Sequence, residues 1–403
     1  MFMHSPSITN MGVKCLKYIE PLIPTMKRIF FLLALTVSLL SFAQKKPLDH
    51  TVYDQWERIS ERLISPNGEW VVYTVDPQEG DGTLYLQSIK TGAIQTFSRG
   101  SMAQFSLNGQ FVVFKIRPLF AQTREAKIKK KKPEDFPKDS LVIIEVGKGE
   151  WKRIPLAKSY KFPAEEEGFL VVQLESSEKL NEGNESPSTL VVFNLLDKTE
   201  YSIPRITEFE VAPKGGKLVA EQTRNPKDSL GKTAILLYDF NSKKMDTISY
   251  GGNDFRSFVF SEDGTQLAYL AERDARPKEL MKYFKLYHYK VNSDSARLLV
   301  DRSTMGMKLG STVSEFGKPR FSKSGQRIYF GTAPIKPAID TSLIEIDQVK
   351  LDIWHYKDDY LQTQQLFNLK RDLERNYLTV YNLQEQTLFP LESDQISQVI
   401  VTA

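Results

Sequence analysis

The stretch Ser65-Pro66-Asn67-Gly68-Glu69-Trp70-Val71-Val72-Tyr73 decides the fold of this chain, because the same phrase returns further along the sequence. Full copies follow at residues 105–114, 258–269 and 321–330, and a looser copy lies at 209–220. Copies that recur at intervals of about 40 to 60 residues are typical of a repeat protein in which each repeat is one structural unit. The repetition therefore predicts several similar units rather than one irregular domain.

Each copy is a strand, a tight turn and a second strand. The Asn-Gly and Asp-Gly steps provide the positive-φ residues of a short hairpin, and the β-branched and aromatic residues that follow favour a buried strand. A further apolar run comes about 10 to 15 residues later, followed by a polar turn and another short strand. These runs are residues 84–86, 141–144, 190–193, 235–238 and 286–289. Four strands per unit predict the blades of an all-β propeller.

The blades should begin near residues 65, 106, 163, 212, 261 and 322. The blade near 163 lacks the phrase, and residues 168–172 would be its inner strand. We therefore predict about six recognisable four-stranded blades. A plain β-sandwich is the alternative, although it rarely produces repetition at the level of a phrase.

The composition allows a large core and gives no sign of a polyanionic partner. The chain has 403 residues, 41% of them hydrophobic and 11% aromatic, and a formal net charge of +4. A propeller of this length counts as one domain. Because the charge is slight for the length, we expect no nucleic acid as a partner.

The N-terminal region has the pattern of an export signal. Residues 26–28 are basic at two positions, residues 29–40 are apolar, and Ser41-Phe42-Ala43 supplies small residues for cleavage. We expect a leader at 1–25 that is not part of the signal, a signal peptide at 26–43 with cleavage after Ala43, and a mature propeller domain at 44–403. An uncleaved anchor is the alternative.

The protein is thus expected to be periplasmic or secreted, with no stable membrane span after cleavage, because the apolar segment is short for a span. The single cysteine, Cys15, lies in the leader, so the mature chain can form no disulfide and no thiolate metal site.

The C-terminal residues 399–403 resemble the beginning of another blade phrase. A propeller blade needs a neighbour to cover its sheet edge. We therefore expect a truncated propeller whose intact ring has seven or eight blades.

The sequence resembles the propeller part of the prolyl oligopeptidase family of serine peptidases, and in particular its large secreted members common in Bacteroidetes. The resemblance covers the chain from about residue 48 to its end and rests on the blade phrase, on residues 124–141 and on residues 351–358. The phrase itself is shared with TolB-like propellers.

This resemblance implies that an α/β-hydrolase domain with a Ser-Asp-His triad follows the propeller, which restricts access to short or flexible peptides. The nucleophile of such a domain lies in a Gly-x-Ser-x-Gly turn. That motif does not occur in this sequence, and Gly100-Ser101 and Gly310-Ser311 have the wrong glycine spacing. No catalytic residue can be assigned, and this chain alone should not hydrolyse peptides.

Two charged runs have both a functional and a structural interpretation. Lys127–Lys132 could bind nucleic acid or lipid headgroups, but it lies between two strands of one blade and is better explained as a solvated hairpin extension. Glu165–Glu167 is similar to the acidic residues with which dipeptidyl-cleaving relatives bind a free N-terminus. Here the three glutamates follow Pro163 and are better explained as a turn.

Neither a metal nor another cofactor is predicted. The histidines His50, His288 and His355 show no metal-ligand spacing. We expect packing or surface exposure for His288, and packing between blades for Trp70 and Trp354. The acids near the second tryptophan, which are Asp352, Asp358 and Asp359, could hold a cation, but nothing in the pattern requires one.

Two functions remain open, together with a non-functional gene remnant as a third possibility. The first is the substrate-gating propeller of an exported prolyl-oligopeptidase-like peptidase, separated from its hydrolase domain, with peptides as substrates of that missing domain. The second is an orphan periplasmic TolB-like propeller that binds a protein or peptide over its channel. The first predicts hydrolase sequence further along the gene, and the second predicts a stable propeller without it.

Overall fold

A computed structural model describes residues 50–175, 187–225, 228, 230–276, 278–338 and 351–402. The predicted leader, signal peptide and cleavage site, and Cys15, lie outside the described residues. The chain divides into two compact units, Met1–Glu57 with Pro77–Glu79, and Arg58–Asp76 with Gly80–Ala403.

The described part of the first unit contains the 3-10 helix His50–Gln55. Its end is fixed by the N–H of Trp56, which donates to the carbonyl of Tyr53 at 3.1 Å. The rings of these two residues lie 4.8 Å apart, and both side chains are exposed.

From Glu57 onward, antiparallel sheets follow one another along the chain. The strands of blade 1 are β1 (Glu57–Ile64), β2 (Trp70–Pro77), β3 (Thr83–Ser88) and β4 (Ile94–Ser98). Those of blade 2 are β5 (Gly100–Phe105), β6 (Phe111–Ile116), β7 (Ser140–Glu145) and β8 (Gly149–Pro155). Each sheet has its strands in sequence order.

A seven-stranded sheet follows and contains blades 3 and 4. Blade 3 has the strands β9 (Ala157–Lys161), β10 (Phe169–Leu174), β11 (Ser188–Asn194) and the first half of β12 (Thr199–Val211). Blade 4 has the second half of β12 with β13 (Lys217–Gln222), β14 (Ala234–Asp239) and β15 (Met245–Tyr250). Because β12 pairs with β11 up to Ile206 and with β13 from Ile206 onward, one strand serves both blades.

Blades 5 and 6 complete the described sheets. Blade 5 has the strands β16 (Asp254–Phe260), β17 (Gln266–Glu272), β18 (Lys285–Lys290) and β19 (Arg297–Val300). Blade 6 has β20 (Ser311–Val313), β21 (Arg320–Phe321), β22 (Arg327–Pro334), β23 (Tyr377–Asn382) and β24 (Thr387–Pro390). Strands β20 and β21 both pair with β22 and share the place of one first strand. The described part of the chain thus has six blades, which confirms the all-β propeller prediction.

Hydrogen bonds explain why the phrase repeats. In the second copy, the Ser106 hydroxyl donates to Asn108 Oδ1 at 2.9 Å and accepts from the N–H of Phe111 at 3.0 Å. The N–H of Gly109 donates to the Ser106 carbonyl at 2.9 Å, and Gly109 has a φ of 72°. Serine, asparagine and glycine are therefore each needed for a different bond or dihedral angle of the turn. The serines at the same place in the other full copies are Ser65, Ser261 and Ser322.

The predicted blade starts were wrong by one strand. The phrase turn connects the first strand of a blade to the second, as between β1 and β2, so each blade begins several residues before its phrase. For the same reason residues 169–172 belong to β10, the second strand of blade 3, and not to its inner strand. The apolar runs predicted as later strands lie in β3, β7, β11, β14 and β18, which are the third strands of blades 1 to 5.

Five buried apolar clusters each join two successive blades. Between blades 1 and 2, for example, Val72 and Leu84 pack with Phe114, and all three are fully buried. Burying one such side chain contributes about 1.5–3 kcal/mol. Trp70 is packed against this cluster, which confirms its predicted position between blades.

The lysine run is the predicted solvated extension between two paired strands, but it is partly helical. It begins in helix α1 (Phe120–Ile128), which stands between β6 and β7, and continues to a 3-10 helix at Pro133–Asp135. Residues 120–128 include several good helix formers, and Lys129 pairs with Glu125 one turn earlier at 2.5 Å. The prediction that this run lies between two strands of one blade is confirmed.

The second helix, α2 (Gln362–Leu373), stands in blade 6 between β22 and β23. The preceding residues 351–361 form no strand or helix. Among the described residues, no helix is long and apolar enough to cross a membrane.

Candidate functional site

The first strands of blades 1, 2 and 3, together with Lys115 of β6, line an open cavity of about 550 Å³. We call these strands, β1, β5 and β9, the first-strand surface. In a propeller the blades surround a central channel, and ligand pockets have volumes of about 300–1,000 Å³. The lining residues are Glu61, Arg62, Leu63, Met102, Ala103, Gln104, Lys115, Lys158, Ser159 and Tyr160.

Met102 is one of the residues that line the cavity. It lies in a β-bulge of β5, where pairing with β6 shifts between Ser101 and Gln104, and its φ is 54°. Such a dihedral angle is strained for a residue with a side chain, and strained residues persist where the surroundings hold them. Its side chain is 59% exposed, so the bulge presents a flexible apolar group at the cavity.

Contacts from both neighbouring blades hold this bulge. The Glu61 carboxylate of blade 1 accepts from the N–H of Met102 at 3.0 Å and from that of Ala103 at 3.3 Å. On the other side, the Tyr160 hydroxyl of blade 3 donates to the Met102 carbonyl. Burial, together with the Glu61 charge, raises the pKa of Tyr160, so the hydroxyl keeps its proton and remains a donor.

Cations provide most of the charge of the cavity lining. The ammonium of Lys115, which is 8% exposed, donates to Asp139 Oδ2 at 3.1 Å and to the carbonyl of Lys158 at 2.8 Å. Arg62 is exposed and makes no hydrogen bond or ion pair with any residue that the structure describes. An ammonium has three donors and a guanidinium five, so both groups retain free donors.

The contact at the bulge recurs between blades 4 and 5. Glu208 Oε1 accepts from the N–H of Ser257 in β16 at 3.1 Å, and Ser257 has a φ of 59°. Glu61 and Glu208 each stand four residues before the first turn position of their copies, Ser65 and Ala212. The sequence therefore repeats this junction as well as the turn.

The surroundings of the second contact are acidic. Glu221 is 9% exposed and accepts from the Thr207 hydroxyl at 2.6 Å. Burial first, and the nearby Glu208 and Asp254 carboxylates second, raise the pKa of Glu221 to about 7. Burial also raises the pKa of Glu208.

Arg256 is a cation beside this acidic group. It donates to both carboxylate oxygens of Asp254, at 3.0 and 2.7 Å, and also pairs with Glu315 of blade 6. Its guanidinium lies 5.1 Å from the centroid of the Phe284 ring. Charged side chains therefore connect the first strands of blades 4, 5 and 6, where blades 1 to 3 have a cavity.

The structure places the predicted residues apart from this cavity. Glu165–Glu167 lies in the bend between β9 and β10, as expected for a turn. Glu165 pairs with Lys214 at 3.1 Å, and Glu167 accepts from Asn108 at 3.4 Å, so these glutamates link neighbouring turns.

The histidines are dispersed. His288 is 4% exposed in β18, and its Nε2 lies 2.9 Å from Gln266 Oε1, so of the two predicted environments, packing and surface exposure, the structure has packing. Burial lowers the pKa of His288 to about 4. His50 and His355 are exposed. No group of three or more His, Cys, Asp or Glu within the described ranges could hold a metal ion.

The region around Trp354 corrects one prediction. Trp354 is 69% exposed and does not pack between blades, because it lies in the strand-free segment before α2. Asp352 accepts from Gln362 at 2.8 Å, and Asp358 accepts from the N–H of His355 at 3.2 Å. Asp358 thus fixes a local turn, and Asp352 joins this segment to the start of α2.

The serines of Gly100-Ser101 and Gly310-Ser311, which lack the glycine spacing of a nucleophile turn, are buried in strands. Ser101 lies in β5 and Ser311 in β20, and they are 2% and 5% exposed. Sequence reasoning did not single out Glu61, Arg62 or Met102. The one available signal was the glutamate four residues before the turn in two of the copies.

No family model and no curated protein matches the sequence. Among solved structures, the β-propeller domain of the Trilobed protease from Pyrococcus furiosus is similar at 14% identity over 69% of this chain and 79% of that chain, with a TM-score of 0.35. TolB from Acinetobacter baumannii is similar at 12% identity over 85% of this chain and 65% of that chain, with a TM-score of 0.33. The tricorn protease is similar at 13% identity over 86% of this chain and 31% of that chain, with a TM-score of 0.39.

The fold is defined by the strand pairing described above. The pairing and the cavity together define a β-propeller module with a pocket on its first-strand surface.

Proposed function

We propose that this chain is the substrate-gating propeller of an exported serine peptidase similar to the prolyl oligopeptidase family, and that its first-strand surface binds peptides. The observation that supports this most is the cavity between β1, β5 and β9, which has the volume of a ligand pocket. The resemblance of the blade phrase and of residues 124–141 and 351–358 supplies the family.

The chemistry of the cavity suits a peptide. Met102 and Leu63 provide exposed apolar surface, and Arg62, Gln104 and Lys115 provide hydrogen-bond donors. A pocket of apolar walls with a few polar groups fixes the orientation of a ligand that has both kinds of group. Peptides have both, and methionine adapts to side chains of different shape.

The alternative is a TolB-like orphan propeller that binds a protein or peptide in the periplasm. Both functions use the same surface and require no catalytic residue in this chain. They differ in whether a hydrolase domain with a Gly-x-Ser-x-Gly turn is encoded downstream.

Two measurements test the proposal. The purified chain is titrated against fluorescein-labelled hexapeptides by fluorescence anisotropy, and we expect saturable binding that Met102→Asp weakens, because an acidic group replaces the exposed apolar one. Absence of binding to every peptide would overturn the peptide-binding function. The nucleotide sequence after the Ala403 codon is read in all three frames. A Gly-x-Ser-x-Gly turn there supports the peptidase, and a stop codon without it favours the TolB-like module.

A further inference from the structure

We propose that the cavity binds the free C-terminal end of a peptide, with the terminal carboxylate on Arg62 and the last side chain against Met102 and Leu63. This inference rests on the proposed peptide-binding function. It adds the part of the peptide that is recognised and the residues that recognise it.

The charge of the lining favours a carboxylate. Three cations line the cavity, Arg62, Lys115 and Lys158, against the single carboxylate of Glu61. Both oxygens of Glu61 already accept from backbone N–H groups, at 3.0 and 3.3 Å. Glu61 keeps its negative charge, but the lining has more cations than carboxylates and therefore favours an anionic ligand.

Arg62 is the best-placed group for this ligand. Its guanidinium has no partner among the described residues, whereas the ammonium of Lys115 already donates to Asp139 and to the Lys158 carbonyl. A guanidinium presents parallel N–H donors that match the two oxygens of a carboxylate. Arg62 can therefore bind an incoming carboxylate without losing an existing interaction.

Apolar surface lines the same cavity. Leu63, the residue after Arg62 in β1, is 41% exposed, and Met102 in the bulge of β5 is 59% exposed. The last residue of a peptide carries its carboxylate and its side chain on the same carbon atom, so both groups can reach this cavity together. The carboxylate of an aspartate or glutamate side chain has no apolar side chain on the carbon atom that carries it. A free N-terminus is positively charged and would be repelled by the cations.

The backbone of Met102 is held in place before a ligand binds. Its N–H is bonded to blade 1 and its carbonyl to blade 3, which hold the strained bulge in place. Groups that are already ordered lose less entropy when a ligand binds. The inter-blade contacts therefore prepare the apolar side of the pocket.

The test compares two forms of one hexapeptide, labelled at its N-terminus and ending in leucine, one with a free carboxylate and one with a C-terminal amide. Anisotropy titrations of the purified chain should show that the free acid binds about tenfold more tightly. Arg62→Gln should remove this difference. Lys323→Gln, which removes an exposed cation from the blade 6 turn, is the matched control and should retain it.

A second variant separates the two halves of the pocket. Met102→Ala should weaken binding of both leucine-ending forms while the ratio between acid and amide persists. Equal binding of acid and amide by the unmodified chain would overturn the C-terminal inference and leave peptide binding in place. A ratio that survives in Arg62→Gln would also overturn it. If no peptide binds, the proposed function fails, and this inference fails with it.

Discussion

The first strands of blades 1 to 3 and those of blades 4 to 6 use the same contact in different surroundings. In both regions a glutamate accepts from the N–H of a positive-φ residue in the next blade, Met102 at 3.0 Å and Ser257 at 3.1 Å. The first contact borders a cavity, and the second lies among Glu221, Asp254 and Arg256. The contact between a glutamate carboxylate and a backbone N–H thus joins blades in both regions. The neighbouring side chains differ, and only the first region borders the cavity described above.

The largest expected effect is a pH dependence that arises in blades 4 and 5. The pKa of Glu221 rises from an ordinary 4.5 to about 7. Between these values the folded chain keeps a proton that the unfolded chain has released, so the free energy of unfolding falls as the pH rises. A single group with this shift contributes a fall of about 3 kcal/mol that is complete above pH 7.

Glu221→Gln should remove most of this fall, because the amide can still accept from Thr207 and carries no charge. Urea unfolding at pH 5 and at pH 8 measures the fall in the free energy of unfolding between the two pH values. Glu69→Gln, which changes an exposed turn residue, is the control. If the free energy of unfolding falls equally in Glu221→Gln, the Glu221 carboxyl group is not the source of the pH dependence.

A smaller effect is expected from removing each bulge contact. Glu61→Ala deprives two backbone N–H groups of a charged acceptor and should cost about 2 kcal/mol. Glu208→Ala should cost less at pH 8, about 1 kcal/mol, because it also removes a charge beside Glu221. Denaturant midpoints at pH 8 compare the two variants. A greater loss in Glu208→Ala would mean that the hydrogen bond outweighs the repulsion there.

The smallest effect concerns the cation in the second region. Arg256→Met should cost about 0.5 kcal/mol, because the side chains of its ion pairs with Asp254 and Glu315 are 33–42% exposed and screened by solvent. The methionine retains apolar contact with Phe284. Thermal unfolding at low and high salt measures this loss, which should shrink as salt increases. Lys152→Met, which removes an exposed pair with Glu200, is the control.

The local features of the fold could be predicted from the sequence, because they depend on neighbouring residues. Ser106, Asn108 and Gly109 bond to one another and define a turn wherever they recur. The third strands were found for a similar reason, since apolar runs such as 141–144 need no partner to be recognised. The first strands were not recognised as the blade starts, because bulges such as the one at Met102 interrupt the alternation of side chains between the two faces of the strand.

The candidate site depends on residues that are distant in sequence. Glu61, Met102 and Tyr160 belong to three blades, and only the packing of those blades brings them together. The environment of Trp354 could not be predicted from its local sequence either. An aromatic residue in an apolar phrase predicts burial, yet no strand forms around it, and it remains 69% exposed.

Strand β12 has a consequence for how the molecule opens. Its 13 residues pair with β11 at one end and with β13 at the other, and Arg205, near the changeover, has a φ of 60°. Local opening in proteins follows contiguous cooperative units. Because no loop separates blades 3 and 4, we expect opening of one blade to loosen the strand that it shares with the other.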